Sequence, residues 1–320
     1  MSCASKAQAQ APDDPSAHSE RAAALTGLKR FEEAKLAYAR ALALDSDNLD
    51  ALLGAAHLYG IYLPSSREVD ELASIYAQKG LSLAQDGHVR THFEFLLAML
   101  ANDRGLSEDA LEYSEHILSL EPDNDGAKYE RAVALYELCR FSEARAEFES
   151  LLKNAEKRAY VHHYLGLLYE RESKPGLSKS HFMSAMRLLP DEFSMPPVMS
   201  ELDFQKAVDA IVEGLPADMK KDLEGIPIAT RDIPALEDLT AVSPPLSPTI
   251  LGLFRGPPLA EVCLPEMGDP CRSIVLYRKN LARTVKDKAE FLEQIRVTLL
   301  HEIGHLRGED DLELAARGLE

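Results

Sequence analysis

The residues best suited to chemistry lie near the end of the sequence, in His301-Glu302-Ile303-Gly304-His305-Leu306-Arg307-Gly308-Glu309-Asp310-Asp311. Two histidines four apart stack one above the other on a helix face, so His301 and His305 can offer both imidazoles to one ion. Glu302 falls on the flank of that face, placed to hold and deprotonate a water. Gly308 can turn the chain out of the helix and bring a carboxylate back as third ligand. Asp311 has the spacing for that role, and Asp310 or Glu309 would serve if the turn is wider. Imidazoles and a carboxylate are competent zinc ligands, and three of them leave a fourth position for water. The chemistry in prospect is metal-assisted hydrolysis of a peptide bond, with Glu302 as general base and then proton donor to the leaving amine.

These side chains need a rigid helix. It starts near Asp287, where Asp287 and Glu290 have the spacing of a capping box. Its apolar stripe is Leu292, Ile295, Leu299, Ile303 and Leu306. At about 100° per residue, Ile303 lies about 200° round from His301, so the stripe anchors one side while the histidines face the other. Upstream, Phe204, Ala207, Val208, Ile211 and Val212 share one face of a helix ending at Gly214, and a short helix follows over 216–223. From Ile226 the period changes, and 226–229, 249–254 and 273–278 read as strands around a loop with Pro244, Pro245 and Pro248. Residues 250–254 or 274–277 can pair with an extended peptide. Tyr277 and Arg278 are candidate oxyanion stabilisers, with packing the simpler role.

Residues 16–189 carry helical periodicity that repeats itself. Ala110, Ala144 and Ser178 are spaced by 34 residues. Tyr164-Leu165-Gly166-Leu167-Leu168-Tyr169 with Phe182, Ala185 and Pro190 is the clearest unit, and Arg30-Phe31-Glu32-Glu33-Ala34 with Tyr38 and Ala41 is another. A unit around Ala73, Ala77 and Gly80 is stretched by an insertion at Leu63-Pro64-Ser65-Ser66. Small residues at such positions let paired helices approach closely.

On these marks, residues 16–192 resemble about five tetratricopeptide repeats. Residues 201–320 resemble the minimal zincin-like metallopeptidase domains, with their pattern HExxHxxGxxD. The resemblance implies a mostly α fold, an α-solenoid followed by a small α+β domain, joined by a linker over 193–200 that contains Met195-Pro196-Pro197. It implies Zn2+ held by His301, His305 and Asp311, with Glu302 as catalytic base. Metzincins place histidine where this chain has Asp311. The chain departs from the pattern in its Cys263–Cys271 loop and its fusion to repeats. With no methionine after Met267 there is no downstream Met-turn, so a small, open site is expected, supplied with substrate by the repeats. Repeats of this kind imply a protein or peptide partner in a concave groove, where Phe95, Tyr129, Tyr136, Tyr160 and His163 are projected. Those side chains favour an apolar or mixed ligand over a clamped carboxylate, and packing between helices is the competing reading. The rival function is an adaptor whose last domain binds zinc only structurally.

The formal charge of −18 is spread evenly, with 21 basic against 31 acidic residues over 1–200 and 14 against 22 over 201–320. An evenly acidic chain repels phosphate backbones, which disfavours a nucleic-acid partner. No apolar run reaches the roughly 18–20 residues of a membrane span. Residues 1–15 read as disordered. Met1-Ser2-Cys3-Ala4-Ser5 looks like the tether after a lipidated cysteine, but no basic region or apolar core precedes Cys3, so a cytoplasmic protein is expected. An exported lipoprotein is the alternative if the native start lies upstream. Four cysteines make no disulfide scaffold, although Cys263 and Cys271 can bridge a loop in an oxidising compartment. Nothing in the sequence fixes the oligomeric state.

Overall fold

A computed structural model describes residues 13–263 and 270–319, so the expected disordered start falls outside it but for its last three residues. The chain forms two compact units, Met1–Asn154 and Ala155–Glu320.

The first unit is a run of helical hairpins: α1 (Pro15–Gly27) with α2 (Phe31–Leu44), α3 (Leu49–His57) with α4 (Arg67–Leu83), α5 (Gly87–Asp103) with α6 (Ser107–Leu120), and α7 (Asp125–Glu137) with α8 (Phe141–Ser150). The interior is small residues meeting aromatic rings. A Cβ on Gly54 would lie 2.3 Å from the Tyr38 hydroxyl, and one on Gly80 would lie 2.1 Å from Phe93. Hairpin turns take a left-handed residue at Lys29, Gly105 and Cys139. The last two are 34 residues apart, so the period read from side chains is also a period of the backbone. The expected insertion lies between α3 and α4, where a π-helical turn over Leu58–Tyr62 precedes an extended link.

The second unit opens with a fifth hairpin, α9 (Arg158–Arg171) and α10 (Pro175–Leu188), which turns on Ser173 in the same left-handed conformation. Ion pairs tie this hairpin to the remainder of the unit. Glu170 meets Lys279 at 3.3 Å and also pairs with Arg283, while Arg171 donates to the Pro234 carbonyl at 3.0 Å. After α11 (Glu201–Gly214) and α12 (Ala217–Asp222) come β1 (Ile228–Arg231), the single turn α13 (Leu236–Leu239), β2 (Gly252–Arg255), β3 (Ser273–Tyr277) and α14 (Arg278–Arg283). The unit closes with α15 (Lys288–Arg307) and α16 (Asp311–Ala316). The sheet order is β1-β3-β2, with β3 parallel to β1 and antiparallel to β2. All five residues of β3 are buried, as befits the central strand, and β2 is an edge. Cys263 and Cys271 are disulfide-bonded, with Cα atoms 5.9 Å apart.

Helix α15 packs through Phe291, Ile295, Leu299, Ile303 and Leu306 against Ile274, Leu276, Phe204 and Val208. The expected stripe is therefore corrected at one position: Phe291 is buried and Leu292 is 39% exposed. Phe291 continues the four-residue row of Ile295 and Leu299, and Leu292 sits about 100° off it. The capping box is corrected too. Asp287 caps the N–H groups of Ala289 and Glu290, but the Glu290 carboxylate accepts from Lys286 rather than from Asp287.

Candidate metal centre

The last two turns of α15 carry His301, Glu302 and His305, and Gly308 ends the helix in a left-handed conformation, φ 92°. The reversal lets Glu309 donate back to the Gly304 carbonyl at 3.0 Å and aims the next helix at the histidines. The Nδ1 of His301 lies 2.6 Å from the Leu319 carbonyl oxygen, and that of His305 lies 3.0 Å from the Glu309 carbonyl oxygen. A carbonyl only accepts, so each Nδ1 is the donor in its contact, and each Nε2 is the ring atom turned toward the site. Those two Nε2 atoms are 2.9 Å apart, and Asp311 Oδ1 lies 3.5 Å from the first and 3.3 Å from the second.

Three potential ligand atoms thus converge. Ligands about 2.0–2.1 Å from one tetrahedral ion stand about 3.4 Å apart, close to this triangle, and the donor types suit zinc. The residues present fit the ion. The neighbouring carboxylates are otherwise engaged. Asp310 caps α16 in a reciprocal box with Glu313, at 2.9 and 3.0 Å, and Glu309 pairs with Arg317. Of the three acidic residues, only Asp311 is brought to both imidazoles.

Glu302 lies beside this triangle, 5% exposed, against β2. Burial, with the Asp311 charge adding to it, pushes its carboxyl up to about 8, against a hydrogen bond from the Phe254 backbone that works the other way. A dication nearby would favour the ionised form. The space it fills belongs to Gly252, where a Cβ would come within 2.6 Å of Glu302 Oε1 and 2.9 Å of Thr298 Cγ2. Ladder parity explains the hydrogen bond. Tyr277 N–H donates to the Leu251 carbonyl at 2.9 Å, so residues 251, 253 and 255 face β3, and Gly252 and Phe254 turn their backbone groups to the open edge.

Tyr277 and Arg278 are engaged in packing and ion pairing. The Tyr277 ring is wholly buried, its hydroxyl near Arg255 and Asp238 without a well-aligned hydrogen bond, and Arg278 binds Asp232 and the Met199 carbonyl. The projected groove residues are divided between the two units. Tyr136 and Tyr129 are buried in the first unit at 2% and 9% exposure, packing on Phe141 and Phe148, so their rings serve the core and not a groove wall. Phe95 is half-buried against Gly126. Tyr160 and His163 belong to the second unit, where Tyr160 meets Phe193 edge-on at 5.4 Å and His163 stacks on it at 4.9 Å. The sequence reading also missed the Phe254 amide, Gly252 and the Leu319 carbonyl. A glycine inside an apolar strand was the available signal for the first two.

Comparison with known proteins agrees with this anatomy. Residues 223–319 match the family described as zincin-like metallopeptidase, and residues 103–168 match the tetratricopeptide repeat family. The chain thus joins tetratricopeptide repeats to a zincin-like metallopeptidase domain, whose match begins at Leu223 and leaves α11 outside it. No curated protein matches the chain. Among solved structures, YrrB, described as a TPR protein with an unusual peptide-binding site, is 20% identical, with a TM-score of 0.46 over 59% of this chain and 93% of that one. PilF of Pseudomonas aeruginosa is 20% identical, with a TM-score of 0.49 over 63% and 85%. Among the described residues, no helix is long and apolar enough to cross a membrane.

Proposed function

We propose that the zincin-like domain is a zinc-dependent peptide hydrolase and that the repeats recruit its protein substrate or a partner. The observation that carries the reading is the convergence of three potential ligand atoms, from His301, His305 and Asp311, beside a buried glutamate packed against an open strand edge. These three residues hold the ion, which when bound acidifies water and polarises a carbonyl. The outward backbone groups of Gly252 and the Phe254 carbonyl offer ladder partners to an extended peptide, which sets the scissile bond alongside the histidines. The Phe254 amide fixes the Glu302 carboxylate against β2. Glu302 takes the proton from the attacking water as its oxygen bonds to the carbonyl carbon. It delivers that proton to the amide nitrogen as the C–N bond breaks. We take the domain division as 16–192 for the repeats and 201–320 for the enzyme, with the α9–α10 hairpin bolted to the latter.

The test is cleavage of an unfolded protein substrate by the full chain, with and without chelator, beside Glu302→Ala. Hydrolysis that chelation and Glu302→Ala each abolish, while the variant still binds one zinc, supports the reading. Zinc without turnover in the unaltered chain would establish the adaptor instead.

A further inference from the structure

The segment after Asp311 is more than a tail. Helix α16 ends in a Schellman turn: Gly318, φ 71°, donates to Ala315 at 2.9 Å, and Leu319 donates to Leu314 at 3.1 Å. This motif carries an apolar contact between its outer residue and the third-last helical residue. Both are buried here, Leu314 at 0% and Leu319 at 7%. Leu314 is wedged onto α15 at Gly304, where a Cβ would lie 2.2 Å from its Cδ2. The turn is therefore locked to the helix that bears the motif, and its free carbonyl is the one that meets His301 Nδ1 at 2.6 Å.

Resting on the metal-site reading above, we propose that the Leu314–Leu319 turn is a positioning element of the site: the Leu319 carbonyl fixes the tautomer and orientation of His301. It is the counterpart of the Glu309 carbonyl at His305. One left-handed glycine, Gly308, presents the first carbonyl, and a second, Gly318, presents the other. Without the Leu319 acceptor, His301 would be free to carry its proton on Nε2, the atom required for the metal, and the ion would have to displace it.

The experiment is a graded series, Gly318→Asn, Gly318→Ala and Gly318→Val, in the full chain. Asparagine tolerates left-handed φ, alanine does so poorly, and a β-branched residue hardly at all. Nitrogen-15 spectra of selectively labelled histidine, recorded without metal, read the tautomer at each ring, and competition against a chelating dye reads zinc affinity. Asparagine should stay near the unaltered protein. Alanine and valine should shift His301 toward the Nε2–H form, leave His305 as Nδ1–H, and weaken zinc by about 10–100-fold. An unchanged His301 tautomer through alanine and valine would overturn the proposal. So would equal changes at His301 and His305, the mark of general loosening. If the unaltered chain bound no zinc, the metal reading would fail, and the metal-free tautomers would still decide this one.

Discussion

Gly252→Ala tests where the general base sits without touching a ligand. The added methyl would lie 2.6 Å from Glu302 Oε1 and 2.9 Å from both Glu302 Cγ and Thr298 Cγ2, whereas ordinary contact begins at 3.4 Å. Relief needs a displacement of about 0.8 Å, the gap between 3.4 and 2.6 Å. Gly252 is held between Leu251 and Leu253, which face β3 in the ladder, and Glu302 Oε1 is the end of a flexible side chain, so the carboxylate is what moves. Misplacement on that scale costs on the order of 100-fold in rate, about 2.7 kcal/mol of transition-state stabilisation. Overpacking costs a further 1–3 kcal/mol or so of stability, partly offset by the roughly 0.5–1 kcal/mol that alanine gains over glycine in a strand. The assays are kcat/KM on an unfolded protein substrate, zinc stoichiometry, and calorimetric melting, since the chain has no tryptophan. Zinc should stay bound. In a Glu302→Ala background only the Thr298 Cγ2 contact at 2.9 Å remains, so Gly252→Ala should lower the melt less there than in the unaltered chain, a coupling that isolates the Glu302 contact. Unchanged turnover with an unchanged melt would refute the placement of Glu302 against β2.

Two other outcomes are expected from the same structure. Zinc at about 100 times its Kd should stabilise the second unit by about 2.7 kcal/mol, a rise of roughly 5–11 °C for a domain of this size. Asp311→Ala should remove most of that rise, Glu309→Ala should spare it, and Asp310→Ala should spare it while lowering the metal-free melt by the roughly 0.5–2 kcal/mol of a lost cap. A rise abolished by Asp310→Ala and kept by Asp311→Ala would reassign the third ligand. The second outcome concerns pH. Burial, with the Arg283 charge adding to it, pushes the His163 imidazole down to about 4. Between the unfolded value near 6.5 and 4, the unfolded chain binds a proton that the folded chain refuses, so stability falls as pH falls through that window. The loss is at most about 3 kcal/mol at pH 4 and smaller for a ring that is not wholly buried. His163→Phe keeps a ring against Phe193 and should flatten the dependence of denaturant midpoint on pH. Equal slopes in the two proteins would contradict it.

What could be read in advance, and what could not, divides by range. The helix bearing His301 and His305, its anchoring stripe from Ile295 to Leu306 and its end at Gly308 are all set by residues within a turn or two of one another, and they were legible. The 34-residue period was legible because each hairpin repeats the same local packing. Asp311 could have been chosen over Asp310 from the same local chemistry. Asp310 and Glu313 have capping-box spacing, which commits Asp310 to its own helix. Tyr129 and Tyr136 were misjudged because a solenoid helix is packed on both its hairpin partner and its neighbour, so an aromatic residue on either face is taken up by the core. The bond between Glu170 and Arg283 spans 113 residues, and no periodicity encodes it.

The Leu319 contact is the instructive intermediate. Its parts were in plain view: a helix start at Asp310, a leucine at 314, and a glycine followed by a second leucine at 318 and 319. Those residues are sufficient to specify a Schellman turn. They do not say which way its free carbonyl points, because that depends on Leu314 finding the one gap in α15 where Gly304 has no side chain. Gly304 lies between the two histidines in sequence. It is the point at which a turn formed ten residues later is keyed to the metal helix, so a change there should disturb His301 although it alters neither ligand nor base.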